Sequence, residues 1–305
     1  MGAPGGFRLM GILNVTPDSF SDGGRFLAPE AAIEHGRRLV AEGADIVDVG
    51  GESTRPGAEP VTVQQELSRV EGVIEGLAAS KTRAQISIDT SKLAVARAAV
   101  GMGASLVNDV SAFRGDPEMA GFVADSGVDC CLMHMLGEPR TMQKNPRYDD
   151  VLDDVKAFLQ ERLDFALREG VSERHVLLDP GIGFGKTVQH NLELLRRLGE
   201  LLTLGRPIVI GTSRKSFLAR IAREGPAAAG VPGPAAALEV SDLAEPLGVA
   251  ARLAGTLASN VLALERGASV FRVHDVAPTR EALTVAAATL GERWTARSTG
   301  TTGTS

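Results

Sequence analysis

The chain has 305 residues, of which 44% are hydrophobic and 23% charged, and its formal net charge is −6. This is the composition of an ordinary globular protein that can bury a full core, and the acidic balance argues against nucleic acid as the main partner. No apolar run reaches the roughly 18 residues of a membrane span, and the start lacks a signal-peptide pattern, so we expect no membrane partner and a cytoplasmic location.

Eight apolar runs of strand length alternate with helical patterns along the chain. The runs are 9–13, 46–49, 86–88, 106–107, 128–133, 176–178, 208–210 and 270–273. The clearest helix is predicted over 149–169, where one face is apolar and Gly170 follows as a stop. A leucine-rich pattern predicts another helix over 192–204.

The runs are continuous rather than alternately apolar and polar, which is typical of a parallel sheet covered on both faces. Eight βα units in about 290 residues predict a single-domain α/β fold, the (β/α)8 or TIM barrel. A doubly wound open sheet is the alternative, but the dinucleotide-binding glycine pattern that favours it is missing after the first run.

The barrel is predicted over residues 8–292, after a flexible N-terminus of residues 1–7. Residues 225–248 are dense in Ala, Pro and Gly and are predicted to form an excursion from the barrel. Residues 293–305 contain mostly Ser, Thr and Gly and are predicted to be a disordered tail. The adjacent cysteines, Cys130 and Cys131, fall in an apolar run and are expected to be small buried side chains.

Polar residues stand at or just after the end of each predicted strand. In chain order they are Asn14, Asp48 with Glu52, Asp89, Asn108 with Asp109, His134, Asp179, Lys215 beyond Gly211, and Arg272 with His274. Because strand ends of a barrel meet at one mouth, we expect these side chains to line one pocket. For Asp48, Asp109 and His134, a role as a cap or turn residue remains open.

Three glycine-containing turns indicate what the pocket binds. In Asp179-Pro-Gly-Ile-Gly-Phe-Gly-Lys186, an acid at a strand end leads into a turn whose glycines allow close approach of a ligand. Gly211-Thr-Ser-Arg-Lys-Ser216 opens a helix, so its N–H groups favour a carboxylate or phosphate. The loop Gly50-Gly-Glu-Ser-Thr-Arg-Pro-Gly57 is predicted to close over an anion. The residues alone thus indicate an enzyme that binds a polar heteroaromatic and an anionic group.

Five blocks together resemble the dihydropteroate synthase family, from about Met10 to Leu290. The blocks are Asn14-Val-Thr-Pro-Asp-Ser-Phe-Ser-Asp-Gly-Gly24, Asp48-Val-Gly-Gly-Glu-Ser-Thr-Arg-Pro-Gly57, Asp179-Pro-Gly-Ile-Gly-Phe-Gly-Lys186, Ser213-Arg-Lys215 and Arg272-Val-His-Asp275. The resemblance implies a (β/α)8 barrel transferase of folate biosynthesis. It would join 4-aminobenzoate to dihydropterin-CH2-pyrophosphate and release pyrophosphate with the help of Mg2+, by SN1-like substitution. A homodimer and inhibition by sulfonamides are implied as well.

Roles for individual residues also follow from the resemblance. Those implied to bind the pterin are Asp89, Asn108, Asp179, Lys215, Arg272, Met133 and Gly211. Those implied on the pyrophosphate side are Asn14, Thr54, Arg55, Arg272 and His274, with Asn14 as the metal ligand. Those implied to bind aminobenzoate are Thr54, Pro56, Phe184, Lys215 and Ser216. The catalytic set is Asp89, Asp179, Lys215, Arg55 and His274.

Two alternatives are carried forward from the sequence. A methyltetrahydrofolate:corrinoid methyltransferase would share the use of Asp89, Asn108 and Asp179. However, methyl transfer releases no pyrophosphate, so Arg55 would have no leaving anion to bind. A non-catalytic paralogue that binds pterin, or an interaction scaffold, would keep the pocket without turnover.

Overall fold

The computed structural model of the chain describes residues 6–16, 29–55, 57–228 and 252–291. Eight parallel strands form one sheet: β1 (Arg8–Asn14), β2 (Ile46–Gly50), β3 (Gln85–Asp89), β4 (Leu106–Asp109), β5 (Asp129–Met133), β6 (Val176–Asp179), β7 (Val209–Ile210) and β8 (Val270–Val273). Each predicted run coincides with one of these strands.

Helices cover the outside of the sheet. They are α1 (Pro29–Ala41), α2 (Val63–Ala79), α3 (Leu93–Gly101), α4 (Glu118–Ser126), α5 (Val151–Arg168), α6 (Val188–Arg196), α7 (Ser216–Ala228), α8 (Leu253–Glu265) and α9 (Val276–Leu290). Among the helices of the described ranges, none is long and apolar enough to cross a membrane.

The sheet closes almost completely into a barrel. Its strand order is β6-β5-β4-β3-β2-β1-β8-β7. The two end strands meet where Leu178 forms a parallel bridge with Ile208, and the Leu178 N–H donates to the carbonyl of Pro207 at 3.0 Å. Eight parallel strands alternating with helices confirm the predicted (β/α)8 barrel, and the open doubly wound sheet is excluded.

Two apolar layers hold the barrel together. The larger layer lies between the strands and the helices and includes the buried face of α5. The smaller one fills the barrel interior with one side chain from each of seven strands: Met10, Ile46, Leu106, Cys131, Leu177, Val209 and Val270. Cys130 and Cys131 are both buried, as predicted, with one in each layer.

The strand period places the candidate site directly above the inner layer. Side chains of a strand point to the same face every second residue. The residue two positions beyond each inner-layer residue therefore also points into the barrel, one level closer to its mouth. These residues are Ile12, Asp48, Asn108, Met133, Asp179, Gly211 and Arg272. The alternation of side chains that packs the inner apolar layer therefore also points the polar groups above it into the barrel.

One predicted helix differs from the structure. The leucine-rich stretch forms α6 and then, after Arg197, a 3-10 helix over Leu198–Leu204. A 3-10 helix has three residues per turn, so side chains three apart lie on one face. Leu198, Leu201 and Leu204 are all buried in this way, at a spacing that an α-helix aligns less well.

Four predictions concern residues that the structure leaves undescribed in whole or in part. Residues 225–228 belong to the end of α7, where Gly225 has non-helical backbone angles, and the rest of the predicted excursion lies outside the described residues. The same holds for most of the predicted flexible N-terminus, for Pro56 and for the tail at 293–305.

Candidate active site

The carboxyl ends of the strands surround a cavity of about 1140 Å³. A pocket for one small ligand is typically roughly 300–1,000 Å³, so this cavity has room for two small substrates side by side. Ten of the predicted site residues line it: Asn14, Thr54, Arg55, Asp89, Phe184, Gly211, Lys215, Ser216, Arg272 and His274.

The floor of the cavity is an ion cluster around Arg272. Its Nε donates to Oδ2 of Asp48 at 2.6 Å and its Nη2 to Oδ2 of Asp89 at 2.7 Å. Asp48 is fully buried and also accepts from Nδ2 of Asn108 at 3.1 Å and from Oγ of Ser87 at 2.6 Å. Asp48 is therefore a hub that orients Arg272 and Asn108, and it caps no helix.

Asp89 has an unusual acidity in this cluster. Burial raises the pKa of its carboxyl to about 7, with Arg272 opposing the shift and the Asp48 carboxylate adding to it. Arg272 itself stays charged, because burial is outweighed by the two carboxylates, which raise its pKa above the ordinary value. The floor thus offers one carboxyl whose charge responds to a ligand that donates hydrogen bonds.

A second acid, Asp179, stands at the end of β6. Its Oδ1 accepts from the Gly181 N–H at 2.7 Å, and burial raises its pKa while Lys215 opposes the shift. Gly181 has φ of +67°, and a Cβ there would lie 1.8 Å from the carbonyl oxygen of His134. The turn can therefore approach the neighbouring strand end only with glycine at this position.

The glycine turn after Asp179 is clamped through its carbonyl groups. Nζ of Lys215 donates to the carbonyl of Ile182, and Nε2 of Gln143 donates to that of Gly183 at 2.7 Å. Nζ of Lys186 donates to the carbonyl of Phe184 at 3.0 Å, and Oη of Tyr148 to that of Gly185 at 2.8 Å. Four consecutive carbonyls thus each accept from a side chain of another part of the chain or of the turn's end. A turn with three glycines is held in one conformation by these bonds.

The clamp fixes Phe184 as one wall of the cavity. Its ring packs against the methionines Met133, Met135 and Met142. The ammonium of Lys215 lies 4.5 Å from the ring centroid, within the range of a cation–π contact. Burial lowers the pKa of Lys215 to about 7, with Asp179 opposing the shift. An aromatic ring stacked here would meet Phe184 on one side and the lysine at its edge.

Behind this wall lies a buried pair that the sequence analysis did not assign. Nζ of Lys186 contacts Nδ1 of His134 at 2.9 Å, and Lys186 is only 3% exposed. Burial, with Lys186 adding to it, lowers the pKa of His134 to about 2, so the imidazole is neutral and its Nδ1 accepts. His134 is therefore a support for the glycine turn, neither a cap nor a ligand-facing group.

The neighbouring wall joins the turn before α7 to the end of β8. Oγ of Ser213 accepts from the backbone N–H of His274 at 3.2 Å and lies 3.0 Å from Nδ1 of the same residue, to which its hydroxyl can donate. Burial, with Arg214 and Arg272 adding to it, lowers the pKa of His274 to about 3. A neutral ring whose Nδ1 accepts carries its proton on Nε2, so His274 presents a donor. Arg214 ties the same turn to Asp275 through Nε at 3.0 Å and Nη2 at 2.6 Å.

Ser216 begins α7 and is exposed at the cavity edge. The unpaired N–H groups and the positive dipole end of this helix favour an anion nearby. On the other side of β8, Asn14 ends β1 and pairs in register with Gly50, while Thr54 and Arg55 come from the loop that follows β2. The start of α7 and the loop after β2 therefore each offer groups suited to a negative charge.

The remaining predicted residues have different positions. Asn108, Met133 and Asp179 are almost completely buried at the ends of β4, β5 and β6, beside the residues that line the cavity, and Pro56 is outside the described residues. Asp109 is the turn residue that the sequence left open, because its carboxylate accepts from the N–H groups of Ser111 and Phe113, each at 2.7 Å.

Sequence reasoning missed the supporting residues more than the lining. Gln143, Tyr148 and Lys186 carried no strand-end signal, because two of them belong to the β5–α5 loop and the third ends the glycine turn. Asp48 was predicted as a strand-end residue with a cap or turn role left open, and the structure places it in the barrel interior, two residues after the buried Ile46.

The described residues of this site suit a magnesium ion that is shared with an anionic substrate. Within the described ranges, no group of three or more His, Cys, Asp or Glu is arranged to hold a metal. Mg2+ commonly takes one or two protein oxygens and completes its shell with phosphate oxygens and waters. The amide oxygen of Asn14, which lines the cavity together with Thr54 and Arg55, matches that donor set.

The chain is similar to dihydropteroate synthases over most of its length. A family model described as pterin binding enzyme matches residues 10–274. The dihydropteroate synthase of Escherichia coli (strain K12) is 41% identical, with 94% of this chain and 93% of that protein covered. The solved Xanthomonas albilineans synthase with 4-aminobenzoic acid is 44% identical with a TM-score of 0.81, and 94% of each chain is covered. The Yersinia pestis synthase with a sulfonamide drug is 40% identical with a TM-score of 0.79, covering 93% of this chain and 94% of that one. The chain belongs to the dihydropteroate synthase family of pterin-binding enzymes.

Proposed function

We propose that the protein is a dihydropteroate synthase that joins 4-aminobenzoate to 6-hydroxymethyl-7,8-dihydropterin pyrophosphate, giving 7,8-dihydropteroate and pyrophosphate. The observation that carries the proposal is the layout of the cavity. Buried acids and an amide surround Arg272, an aromatic wall carries a lysine at its edge, and groups suited to anions come from the start of α7 and from the loop after β2. This layout suits a donor-rich ring linked to an anion, next to an aromatic carboxylate.

At the inner end, Asp89, Asn108 and Asp179 accept from and donate to the pterin ring. Arg272 packs beside the ring, held in place by Asp48 and Asp89. A pterin that donates N–H groups to Asp89 and Asp179 favours their ionised forms, because hydrogen bonds to a carboxylate stabilise its charge and so oppose the burial that raises both pKa values. Met133 and Gly211 complete the pterin pocket through van der Waals contacts with the ring.

At the outer end, the departing pyrophosphate meets Arg55, the Nε2–H of His274 and the hydroxyl of Thr54, with Arg272 behind them. Asn14 provides the protein oxygen for Mg2+, which when bound neutralises charge on the leaving group. These donors act where negative charge develops as the bond breaks.

The aminobenzoate ring lies against Phe184, with its carboxylate toward Ser216 and the N-terminus of α7. Lys215 flanks both substrates, and Thr54 and Pro56 belong to the loop that closes over them. The Xanthomonas albilineans relative was solved with 4-aminobenzoic acid, and the Yersinia pestis relative with a sulfonamide, which supports the expectation that sulfonamides inhibit this protein.

The reaction needs positioning more than an activated nucleophile. The bond between the pterin methylene carbon and the pyrophosphate oxygen breaks, and pyrophosphate leaves with the electron pair. The amine lone pair of aminobenzoate then forms the C–N bond, and the amine proton is released. Asp89 and Asp179 stabilise the cation on the pterin, which makes a dissociative, SN1-like path favourable. Holding the two substrates together supplies roughly 7–11 kcal/mol of the barrier reduction.

A secondary isotope effect at the pterin methylene tests this path. Deuterium on the methylene is expected to slow the reaction measurably, because the carbon becomes trigonal in the transition state. An isotope effect near unity would contradict the dissociative step while leaving the overall reaction untouched.

The proposal extends to the setting of the enzyme. We infer a cytoplasmic homodimer, as the family resemblance implies. Analytical ultracentrifugation at micromolar concentration is expected to give a single species of twice the chain mass of 31.9 kDa. A species of one chain mass throughout would refute the dimer.

Two other functions would give a different result in a pyrophosphate-release assay. A non-catalytic paralogue would bind pterin without turnover. A corrinoid methyltransferase would use methyltetrahydrofolate and would not require Arg55 or the helix end at Ser216. The presence of both groups at the cavity favours the synthase.

A coupled pyrophosphate-release assay tests the proposed function. It contains pterin pyrophosphate, Mg2+ and 4-aminobenzoate, and compares the protein with an Asp179→Asn variant. Release that depends on aminobenzoate and on Mg2+, and that falls by about 100-fold or more in the variant, is expected. A folded protein that binds pterin but releases no pyrophosphate would reject the synthase in favour of the paralogue.

A further inference from the structure

We propose that Glu52, Lys92 and Glu66 form an ionic staple that positions the loop carrying Arg55 for the pyrophosphate of the substrate. The β2–α2 loop means residues 51–62 from here on. The inference rests on the proposed function, because it gives these three side chains a positioning role in the binding of that substrate.

One carboxylate joins the two ends of the β2–α2 loop. Oε1 of Glu52, at the start, accepts from the N–H of Val61, at the end, at 3.0 Å. Next to Glu52, the carbonyl of Gly51 accepts from Nη1 of Arg69 on α2 at 2.6 Å. A Cβ at Gly51 would lie 2.8 Å from Cγ1 of Val70, so the start of the loop is pressed directly onto that helix. The two ends of the loop are therefore joined to each other, and the first of them packs against α2.

Lys92 connects this base to the barrel. Its Nζ lies 2.6 Å from Oε2 of Glu52 and 2.6 Å from Oε2 of Glu66. The side chains of Lys92 and Glu52 are 23% and 19% exposed, whereas that of Glu66 is completely buried. Lys92 precedes α3 and comes three residues after Asp89. The staple therefore links the strand end that holds the pterin acid to the loop that holds Arg55.

The charges of the staple serve geometry rather than stability. Burial opposes the charge on Lys92, but its two carboxylate partners raise its pKa above the ordinary value. The other oxygen of Glu66, Oε1, is buried without a hydrogen-bond partner in the described part of the chain. Ion clusters with unmet hydrogen bonds are a poor source of folding free energy compared with apolar packing. What this cluster provides is one fixed position for the loop base.

Arg55 depends on that base for its own position. Between Glu52 and Val61, the loop makes a turn in which the Ala58 N–H donates to the Arg55 carbonyl at 3.0 Å. The Arg55 side chain itself is exposed at the cavity rim. An exposed, rotamer-rich side chain binds an anion best when its backbone is already placed, because less freedom is lost on binding.

A binding cycle tests the inference. The probes are 6-hydroxymethyl-7,8-dihydropterin with and without its pyrophosphate, each titrated calorimetrically in the presence of Mg2+. The proteins are the unmodified chain, Glu52→Gln, Arg55→Ala and the double variant. Glu52→Gln keeps the side-chain volume and an acceptor for Val61 but removes the charge that Lys92 contacts. Glu59→Gln is the matched control, since Glu59 lies in the same loop with a 73% exposed carboxylate, paired to Arg140 at 3.3 Å.

If the staple acts through Arg55, Glu52→Gln weakens binding of the pyrophosphate-bearing pterin by about 10-fold and binding of the plain pterin by less than about 2-fold. In the Arg55→Ala background, the same change has an effect of less than about 2-fold on either ligand. The Glu59→Gln control leaves both affinities within about 2-fold, as expected for an exposed ion pair.

Two results would overturn the inference: equal losses for both ligands, or a full 10-fold loss that persists without Arg55. A second variant, Lys92→Met with Glu66→Met, removes the buried charges together and is expected to stay folded while losing the same affinity. Tight pyrophosphate-dependent binding in that variant would also refute the staple. Because only binding is measured, the cycle decides the inference even if the unmodified protein releases no pyrophosphate and the proposed function fails.

Discussion

Replacing Asp48 by asparagine tests whether this residue organises the floor of the active site. Asp48 is completely buried and accepts three hydrogen bonds, from Arg272 at 2.6 Å, Ser87 at 2.6 Å and Asn108 at 3.1 Å. An asparagine has one acceptor oxygen in place of two, so its NH2 group must face at least one donor. Arg272 would keep only Asp89 as a charged partner.

The structure sets the size of the effect. Removing one partner of a buried ion pair typically costs about 3–5 kcal/mol. Since Arg272 retains Asp89, we expect the lower end, a loss of about 3 kcal/mol in the free energy of unfolding. At about 2 °C per kcal/mol for a chain of this length, Tm falls by about 6 °C. Misplacement of Arg272 and Asn108 is expected to lower kcat/KM by about 30- to 100-fold, or about 2–3 kcal/mol of transition-state stabilisation.

Thermal unfolding and pyrophosphate release on one preparation measure both quantities. The control is Ser87→Ala, which removes one neutral donor to Asp48 and leaves Arg272 in place. It is expected to cost about 1 kcal/mol of stability with kcat/KM within about 3-fold. An Asp48→Asn variant with Tm within 1 °C of the unmodified chain and unchanged kcat/KM would refute the role of Asp48 as a hub.

Four further predictions concern the acids and the glycine turn. Because a hydrogen-bonding pterin favours ionised Asp89, whose pKa in the free protein is about 7, pterin affinity measured by calorimetry should weaken as pH falls from 8 to 5.5; a flat profile would contradict this. The same raised pKa means that the folded state holds a proton more tightly than the unfolded chain, so the contribution of Asp89 to stability is present below pH 3.8 and is lost as pH rises toward 7. Lys186→Met removes the donor to the Phe184 carbonyl and is expected to raise KM for aminobenzoate by about 5-fold, while pterin affinity stays within about 2-fold. A larger loss of pterin affinity would show that the pair of Lys186 with His134 supports the pterin pocket instead. Gly181→Ala would place a methyl group 1.8 Å from the carbonyl oxygen of His134 and is expected to lower the free energy of unfolding by more than about 3 kcal/mol, or to prevent folding. Denaturant unfolding measures this loss, and a variant as stable as the unmodified chain would mean that the turn can relax.

The fold was predictable from the sequence because a parallel barrel leaves a simple pattern. Its strands are buried on both faces, so each reads as a continuous apolar run, and the loops between strands and helices begin with polar or glycine residues. Val270–Val273 coincides with its predicted run residue for residue. The helix that became α6 and a 3-10 segment was not predictable to the same degree, since leucines at both spacings occur in the same stretch.

The lining of the site was predictable for a related reason. Asn14, Asp89 and Arg272 are local features of strand ends, and parallel strands bring such ends together whatever their distance along the chain. The groups that hold the lining in place carry no such signal. Gln143 and Tyr148 donate to carbonyls of the glycine turn, and those contacts depend on how the β5–α5 loop packs, which no spacing in the sequence encodes.

What the sequence by itself determined is therefore the barrel, the mouth at which the chemistry sits and the residue types available there, because each follows from the period of a strand and the direction of the chain. Only the tertiary structure decided which of those residues meet. It paired Arg272 with Asp48 across 224 positions, His134 with Lys186 across 52 and Lys92 with Glu52 across 40. Buried charges and amides must find partners within about 3 Å, and the identity of each partner depends on the whole closed packing of the barrel.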